Sequence, residues 1–333
     1  MTEAAESGRA GAGAAGRLSG SRYAVGVIHH RAYQELEVCL ASVGVQVLAP
    51  RWVRVLDSGG DPGDLARALR ASPDVERDVR DNRGYGYAAN RLIERAVRDD
   101  DCDYLLLLNP DVVLDRGFAA ELVAALDADP AAALGGGRLV RPRGGRLDSA
   151  GILLGRNRRP RDRGMGEVDR GQFSSEEVVF GVSGAALCLR IAALRDLEVD
   201  GEIFDEDFFA YHDETDIAWR AALRGWHARY VPTARATHER GWKPGERFRI
   251  PVRIRRHSFK NHTLQRVKND RPLEWLRDLP IIMGWELTRF LFALLRDPAV
   301  LPAYVDILRS LPGALRKRRI IQRRATGRVR WGA

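Results

Sequence analysis

Short apolar runs bounded by turn residues recur along the first third of this chain. Tyr23 to Ile28 (Tyr-Ala-Val-Gly-Val-Ile), Trp52 to Leu56 and Tyr104 to Leu108 (Tyr-Leu-Leu-Leu-Leu) are continuous rather than alternating, the pattern of strands buried on both faces. Between the first two, Tyr33 to Val43 has the spacing of a helix. Asn82-Arg83-Gly84-Tyr85-Gly86-Tyr87-Ala88-Ala89-Asn90 reads as a Gly-rich loop that opens a second helix running through Arg98. Strand and helix in alternation predict an α/β fold with a mostly parallel sheet flanked by helices. Ligands in open α/β sheets sit beyond the carboxyl ends of the strands, and here those ends carry acids. Asp57-Ser58-Gly59-Gly60-Asp61 follows the second run and Asn109-Pro110-Asp111 the third. Pro110 cannot extend the ladder, so the strand stops and Asp111 is aimed outward, where a carboxylate suits a divalent metal. The competing reading of such an Asp is a plain turn cap.

Much later stands Phe204 to Arg220 (Phe-Asp-Glu-Asp-Phe-Phe-Ala-Tyr-His-Asp-Glu-Thr-Asp-Ile-Ala-Trp-Arg), followed by Gly225-Trp226, Tyr230-Val231-Pro232 and His238. Taken in this order the segments resemble the family 2 glycosyltransferases of the GT-A fold, and within them the bacterial rhamnosyltransferase-like members, over residues 22 to 269. Leu56 to Asp61 stands for the family's Val-Asp-Asn-x-Ser-x-Asp and Asn82 to Asn90 for Asn-x-Gly-Phe-x-x-x-x-Asn. Asn109 to Asp111 stands for the metal-binding Asp-x-Asp, and Asp213 to Asp216 for Glu-Asp-x-Asp. Four departures stand out: Ser58 replaces an Asn, and His29-His30 occupy the place of Tyr-Asn or a similar pair. Asn109 replaces the first Asp, a variant that rhamnosyltransferase-like members share, and Asp213-Glu214 reverses the usual order.

The resemblance implies an inverting transfer from a dTDP- or UDP-sugar, with dTDP-L-rhamnose the preferred donor. A growing charge on the diphosphate leaving group calls for Mg²⁺ or Mn²⁺. Asp111 is the first ligand, and the family pattern implies His238 as the second. The same pattern implies that Asp57 accepts from the N3–H of a uracil or thymine base, and that His30, Asn82, Gly84, Asn90 and Asn109 complete the nucleotide-sugar site. Gly84 and Gly86 equally suit a strand-to-helix turn that needs positive φ. An inverting transfer also needs a general base. Glu214 ranks first by motif position, Asp213 second and Asp216 third. Asp213 also suits the cap of a helix beginning there, and Asp216 a pair with Arg220 one turn on. Asp205, Glu206 and Asp207 read as a solvated turn, while Asp148 to Gly151 and Gly181 to Ala186 are expected beside the sugar.

With 333 residues, 45% of them hydrophobic, the chain can bury a sizeable core, and residues 21–269 fit one GT-A domain. Residues 1–20 are Ala/Gly-rich with no apolar core and read as a disordered tail rather than a signal peptide or a span. Cys39, Cys102 and Cys188 lack metal-ligand spacing and read as reduced packing residues. The net charge of +9 is uneven: Arg316 to Arg330 holds eight Arg or Lys and no acid. Residues 270–333 therefore read as an amphipathic helical and basic C-terminal extension. Its apolar runs between Leu279 and Leu311 are too short to span a bilayer but suit helices lying on an anionic membrane surface. Packing on the catalytic domain with a solvated basic end is the alternative. The resemblance further points to a polyprenyl-diphosphate-linked saccharide acceptor in cell-envelope polysaccharide biosynthesis. The protein is then expected in the cytoplasm, peripheral on the inner face of the plasma membrane. Arg255, Arg256, Lys260 and Lys268 would suit a diphosphate, and His238 to Pro251 a closing loop. Nucleic acid is not an expected partner, since the basic tail has no interleaved aromatics. A catalytically inactive binding protein on the same fold is the other class. A nucleotidyltransferase would want a Gly-rich phosphate loop where His29-His30-Arg31 stand.

Overall fold

The computed structural model describes residues 22–98, 102–240, 246–329 and 331. It opens with β1 (Tyr23–His29), α1 (Tyr33–Gly44), β2 (Val53–Asp57), α2 (Pro62–Ala68), β3 (Glu76–Val79), α3 (Tyr85–Val97) and β4 (Tyr104–Leu108). There follow β5 (Val112–Leu114), α4 (Phe118–Asp127), β6 (Ala132–Val140), β7 (Leu147–Ser149), β8 (Ile152–Leu154), β9 (Pro160–Asp162), β10 (Glu177–Val179) and β11 (Ala186–Arg190). α5 (Leu194–Leu197), α6 (Asp213–Leu223) and β12 (His227–His238) complete the sheet region. The helices α7 (Val252–Asn269), α8 (Pro272–Arg277), α9 (Leu279–Arg296) and α10 (Ala303–Arg323) come last. The tail of residues 1–20 lies outside the described residues, as does the middle of the expected closing loop, 241–245.

The strand order is β10-β12-β6-β11-β4-β1-β2-β3. β3, β2, β1 and β4 run parallel, whereas β11 is antiparallel to both β4 and β6. The all-apolar β4 sits centrally, and its alternating side chains feed two cores. Leu105 and Leu107 point to the core holding α3 and α6, and Leu106 and Leu108 to that holding α1 and α4. The chain leaves β1 for β2 on one side, while β4 lies on the other. The carboxyl ends of β1, β2 and β4 thus meet at the switch point where such sheets bind ligands.

The C-terminal extension is split in its behaviour. α10 lies along α7, with Arg318 donating to the carbonyls of Val267 and Asp270 and Gln322 to those of Lys268 and Asn269. Beyond α10 the N–H groups of Thr326 and Gly327 both donate to Leu223 O at 2.8 Å, and Trp331 meets Trp219 edge-on. This part of the basic tail is therefore a strap on the catalytic domain, because Arg316 and Lys317 meet acids there and Arg318 and Arg324 meet carbonyls, while Arg319, Arg323 and Arg328 stay exposed. α9 differs. Of its apolar side chains only Ile282 and Ala293 are buried, while Leu287, Leu291 and Leu295, four residues apart on one face, are 58%, 43% and 73% exposed. Among the described residues no helix is long and apolar enough to cross a membrane.

Candidate active site

Asp57 ends β2 beside His29, which ends β1. His29 Nε2 accepts from the Ala32 N–H at 3.0 Å, so its proton is on Nδ1 and is donated to Asp57 Oδ1 at 2.7 Å. Both residues are buried, Asp57 being 1% exposed. His30, exposed, lies with Nδ1 2.8 Å from Ser58 O. It was His29 that the sequence left without a task, although its ring, and not that of His30, bonds the Asp57 carboxylate.

Asp111, just past β4, is one fifth exposed, and its Oδ1 lies 3.4 Å from Nε2 of the buried His238 at the end of β12. The other nitrogen of that ring, Nδ1, donates to Asp148 Oδ2 at 2.7 Å. Asp148 is fully buried and also meets Arg141 and Arg240. Burial alone would lower the basicity of His238, but its contacts with Asp111 and Asp148 carry it up to about 9. A carboxylate behind Nδ1 fixes the ring and aims Nε2 forward, as in metal-bound histidines. Asp111 and His238 thus form a two-residue donor set. Among the described residues no group of three or more His, Cys, Asp or Glu could hold a metal alone. Two protein donors fit a hard ion that takes its remaining ligands from substrate phosphates and water.

Gly84 is at φ +100°, and a Cβ there would stand 2.3 Å from the Phe209 carbonyl oxygen. Close approach of two backbones therefore requires the glycine, and the Tyr85 N–H uses it to donate to Phe209 O at 2.7 Å. Asn82 Oδ1 accepts from the Gly84 N–H at 3.1 Å and closes the turn. Asn90 is buried. Its Nδ2 donates to Phe204 O and its Oδ1 accepts from the Phe204 N–H, so both ends of the amide pin the acidic segment to α3. The N–H of Asn109 donates to Ala185 O, which seats the Ser183-Gly184-Ala185 turn against the end of β4.

Phe209, Tyr211 and His212 all adopt positive φ, an uncommon run for bulky residues. Asn261 Nδ2 of α7 holds it, at 2.9 Å from each of the Phe208, Ala210 and Tyr211 carbonyls. α6 begins at Asp213 as expected, but His212 occupies the cap position with no side-chain capping bond. Asp213 is buried with Oδ1 unpartnered, and burial, reinforced by Glu214 and Asp205, holds its carboxyl well above the usual range. Glu214 is half-buried above Gly184. Burial pushes it up to about 7, with Asp162 adding to the effect and Arg240 opposing it. Asp216 is committed to structure: Oδ2 accepts from Arg220 Nε at 3.0 Å, and Oδ1 meets Lys268 and Asn269.

Asp205 is not part of a solvated turn. It is 6% exposed and paired with Lys268 and Lys317. Burial disfavours its charge, yet the two ammonium groups hold its carboxyl well below the usual range. Only Asp207 of the three acids is largely in water, its side chain 61% exposed. Lys268 is thereby consumed, and Arg255 is buried against Asp297, so neither is free for a diphosphate. Arg256 and Lys260 remain near the surface of a cavity described below.

The glycosyl transferase family 2 model matches residues 24–194. Glucomannan 4-beta-mannosyltransferase 9 of Arabidopsis thaliana is 26% identical over 237 residues, covering 67% of this chain and 42% of that protein. The chain spans about two fifths of the length of the curated relatives it matches first. Among solved structures, GalNAc-T7 with UDP, GalNAc and Mn²⁺ superposes with a TM-score of 0.56 at 14% identity, covering 74% of this chain and 48% of that one. S. aureus TarS gives 0.56 at 12% identity, covering 92% and 50%. These likenesses speak to the fold. With strand ends, acids and family match in agreement, the chain belongs to glycosyl transferase family 2 and has the GT-A fold.

Proposed function

We propose that the chain is a glycosyltransferase that inverts the anomeric centre of L-rhamnose as it moves the sugar from dTDP-rhamnose to a polyprenyl-diphosphate-linked saccharide in cell-envelope polysaccharide synthesis. The observation that carries metal-dependent transfer is the pairing of Asp111 with His238, backed by Asp148, at the carboxyl ends of β4 and β12. Asp111 and His238 would hold Mg²⁺ or Mn²⁺. When bound, the ion offsets the charge that grows on the departing nucleoside diphosphate.

Glu214 is the base in this reading. Its carboxyl, pushed up to about 7, is ionised often enough at neutral pH to take the acceptor hydroxyl's proton and basic enough to hold it. Asp213 is buried, with its carboxyl held well above the usual range by that burial, and ranks behind Glu214, while Asp216 has both oxygens engaged. The buried Asp57, held by His29, would meet the base of the nucleotide only through its second oxygen. Rhamnose is favoured by the Asn109-Pro110-Asp111 variant, and a lipid-linked acceptor at the inner membrane face by the exposed apolar face of α9.

The test is release of nucleotide by purified protein with Mn²⁺ and a polyprenyl-diphosphate-linked saccharide. Fastest turnover of dTDP-rhamnose among dTDP-rhamnose, UDP-glucose and UDP-galactose is the expected result. Faster turnover of a UDP-sugar would overturn the donor assignment while leaving transfer in place.

A further inference from the structure

A cavity of about 500 Å³ opens between α7 and α10. Arg253, Arg256, His257 and Lys260 line it from α7, and Arg309 with Asp306 from α10. Four cations thus face one carboxylate. That carboxylate is taken by Arg256, whose Nη2 lies 2.7 Å from Asp306 Oδ2. Lys260 reaches only a neutral partner, the Asp207 carbonyl, at 2.6 Å. Among the described residues Arg253 and Arg309 have no ion pair: Arg253 lies over the Phe209 ring, 4.4 Å from its centroid. His257 stacks on the same Phe209, the two rings 4.8 Å apart, and its buried Nδ1 has no hydrogen-bond partner among the described residues.

Uncompensated like charges around one space repel each other, and the chain gains nothing by gathering them unless an anion enters. Burial already pulls Lys260 below its usual range, and burial, with Lys260 and Arg253 adding to it, depresses His257 to about 4. These two planar guanidiniums, with no carboxylate partner among the described residues, suit the oxygens of a phosphate or diphosphate, which they can bind in bidentate fashion. The cavity also has a defined neighbourhood. On one side Phe209 joins it to the Gly84 turn and the start of α6, and on the other Leu308 of α10 is 68% exposed beside it in sequence.

We infer that the cavity between α7 and α10 is a second anion site, distinct from the donor site, which takes the phosphate or diphosphate group of the acceptor. This rests on the reading of the protein as a transferase acting on a phosphate-bearing acceptor. Phe209 gives the site a physical connection to the reaction centre, since its ring touches Arg253 and His257 while its carbonyl anchors α3.

The test uses full-length protein saturated with UDP and Mn²⁺, so that the donor site is filled, and titrates inorganic pyrophosphate by calorimetry. A separate one-to-one site is expected, weakened at least about tenfold in the Arg253→Ala/Arg309→Ala variant with UDP affinity and melting temperature unchanged. No second site in the wild type, or one indifferent to the double variant, overturns the inference. Failure of UDP itself to bind would instead strike the donor reading. Phosphatidylcholine vesicles with and without a polyprenyl diphosphate distinguish the sources. Tighter binding to the doped vesicles than to pyrophosphate assigns the anion to a lipid carrier, and equal binding assigns the site to a soluble phosphate.

Discussion

His238 Nε2 faces Asp111 Oδ1 at 3.4 Å while its Nδ1 is held by Asp148 at 2.7 Å. One imidazole therefore joins the end of β12 to the turn after β4 and to the buried carboxylate of β7. Its two nitrogens have separate tasks: Nδ1 is fixed by a carboxylate that no solvent reaches, and Nε2 is left for whatever enters beside Asp111.

Glu214 and Asp213 are adjacent acids with opposite prospects. Glu214→Gln is expected to lower kcat by about 10²- to 10⁴-fold with nucleotide affinity kept. Asp213→Asn replaces a buried acid, whose carboxyl burial holds well above the usual range, with a neutral group of nearly the same shape, so turnover should stay within a few-fold of wild type, as steady-state kinetics would report. Loss of turnover in Asp213→Asn at unchanged melting temperature would reverse their order. A base must be ionised to act, so kcat/KM should rise with pH through about 7 and level off above it. A profile flat from pH 5.5 to 8 would rule out Glu214 as the titrating group.

Lys317 of α10 bridges Asp205, Glu202 and Asp207, and so ties the strap to the segment before α6. Lys317→Met should cost on the order of 3 kcal/mol in denaturant unfolding, because Asp205 loses one of its two buried cations. Since the folded carboxyl of Asp205 lies below its unfolded value, its contribution is present above about pH 4 and fades as pH falls from there. The variant should accordingly lose less stability on acidification than wild type.

Gly84→Ala should destabilise by at least about 2 kcal/mol, combining a strained positive φ with a Cβ driven into the Phe209 carbonyl. A melting temperature within a degree of wild type would mean that the Gly84–Phe209 contact is not as close as described.

Replacing Leu287, Leu291 and Leu295 together by Gln should change stability by no more than about 0.5 kcal/mol per site, since all three side chains are exposed. Sedimentation with anionic vesicles should fall sharply in the same variant. Equal sedimentation would remove α9 as a membrane-contacting surface.

The sheet and the strand-end acids were legible because their signals are local. A continuous apolar run means a buried strand, and a Pro-Asp turn after it means an outward carboxylate wherever the strand lies. Partnerships between distant segments left no such mark. Asp205 looked solvated because Lys317, which neutralises it, is 112 residues further on, in a tail that composition alone presents as a free basic arm. Asp148 could be placed near the sugar but not behind His238. Its lone signal was a charged residue in the otherwise apolar or small stretch Leu147 to Leu154, which a fully buried carboxylate needs a partner to explain. Gly84 and Asn90 fit a loop motif in sequence, and only their contacts with Phe209 and Phe204 show that the motif also fastens α3 to the acidic segment.

Metal-dependent nucleotide binding at Asp111 and His238 is tested most directly by calorimetry. Wild type and Asp111→Ala would each be titrated with dTDP and UDP in Mn²⁺, and again after chelation, with melting temperatures recorded to confirm folding. The expected result is wild-type binding that weakens at least about tenfold on chelation and is weak in Asp111→Ala whether or not Mn²⁺ is present. Affinity that ignores the chelator, or that survives intact in Asp111→Ala, would contradict the assignment of this pair to the metal.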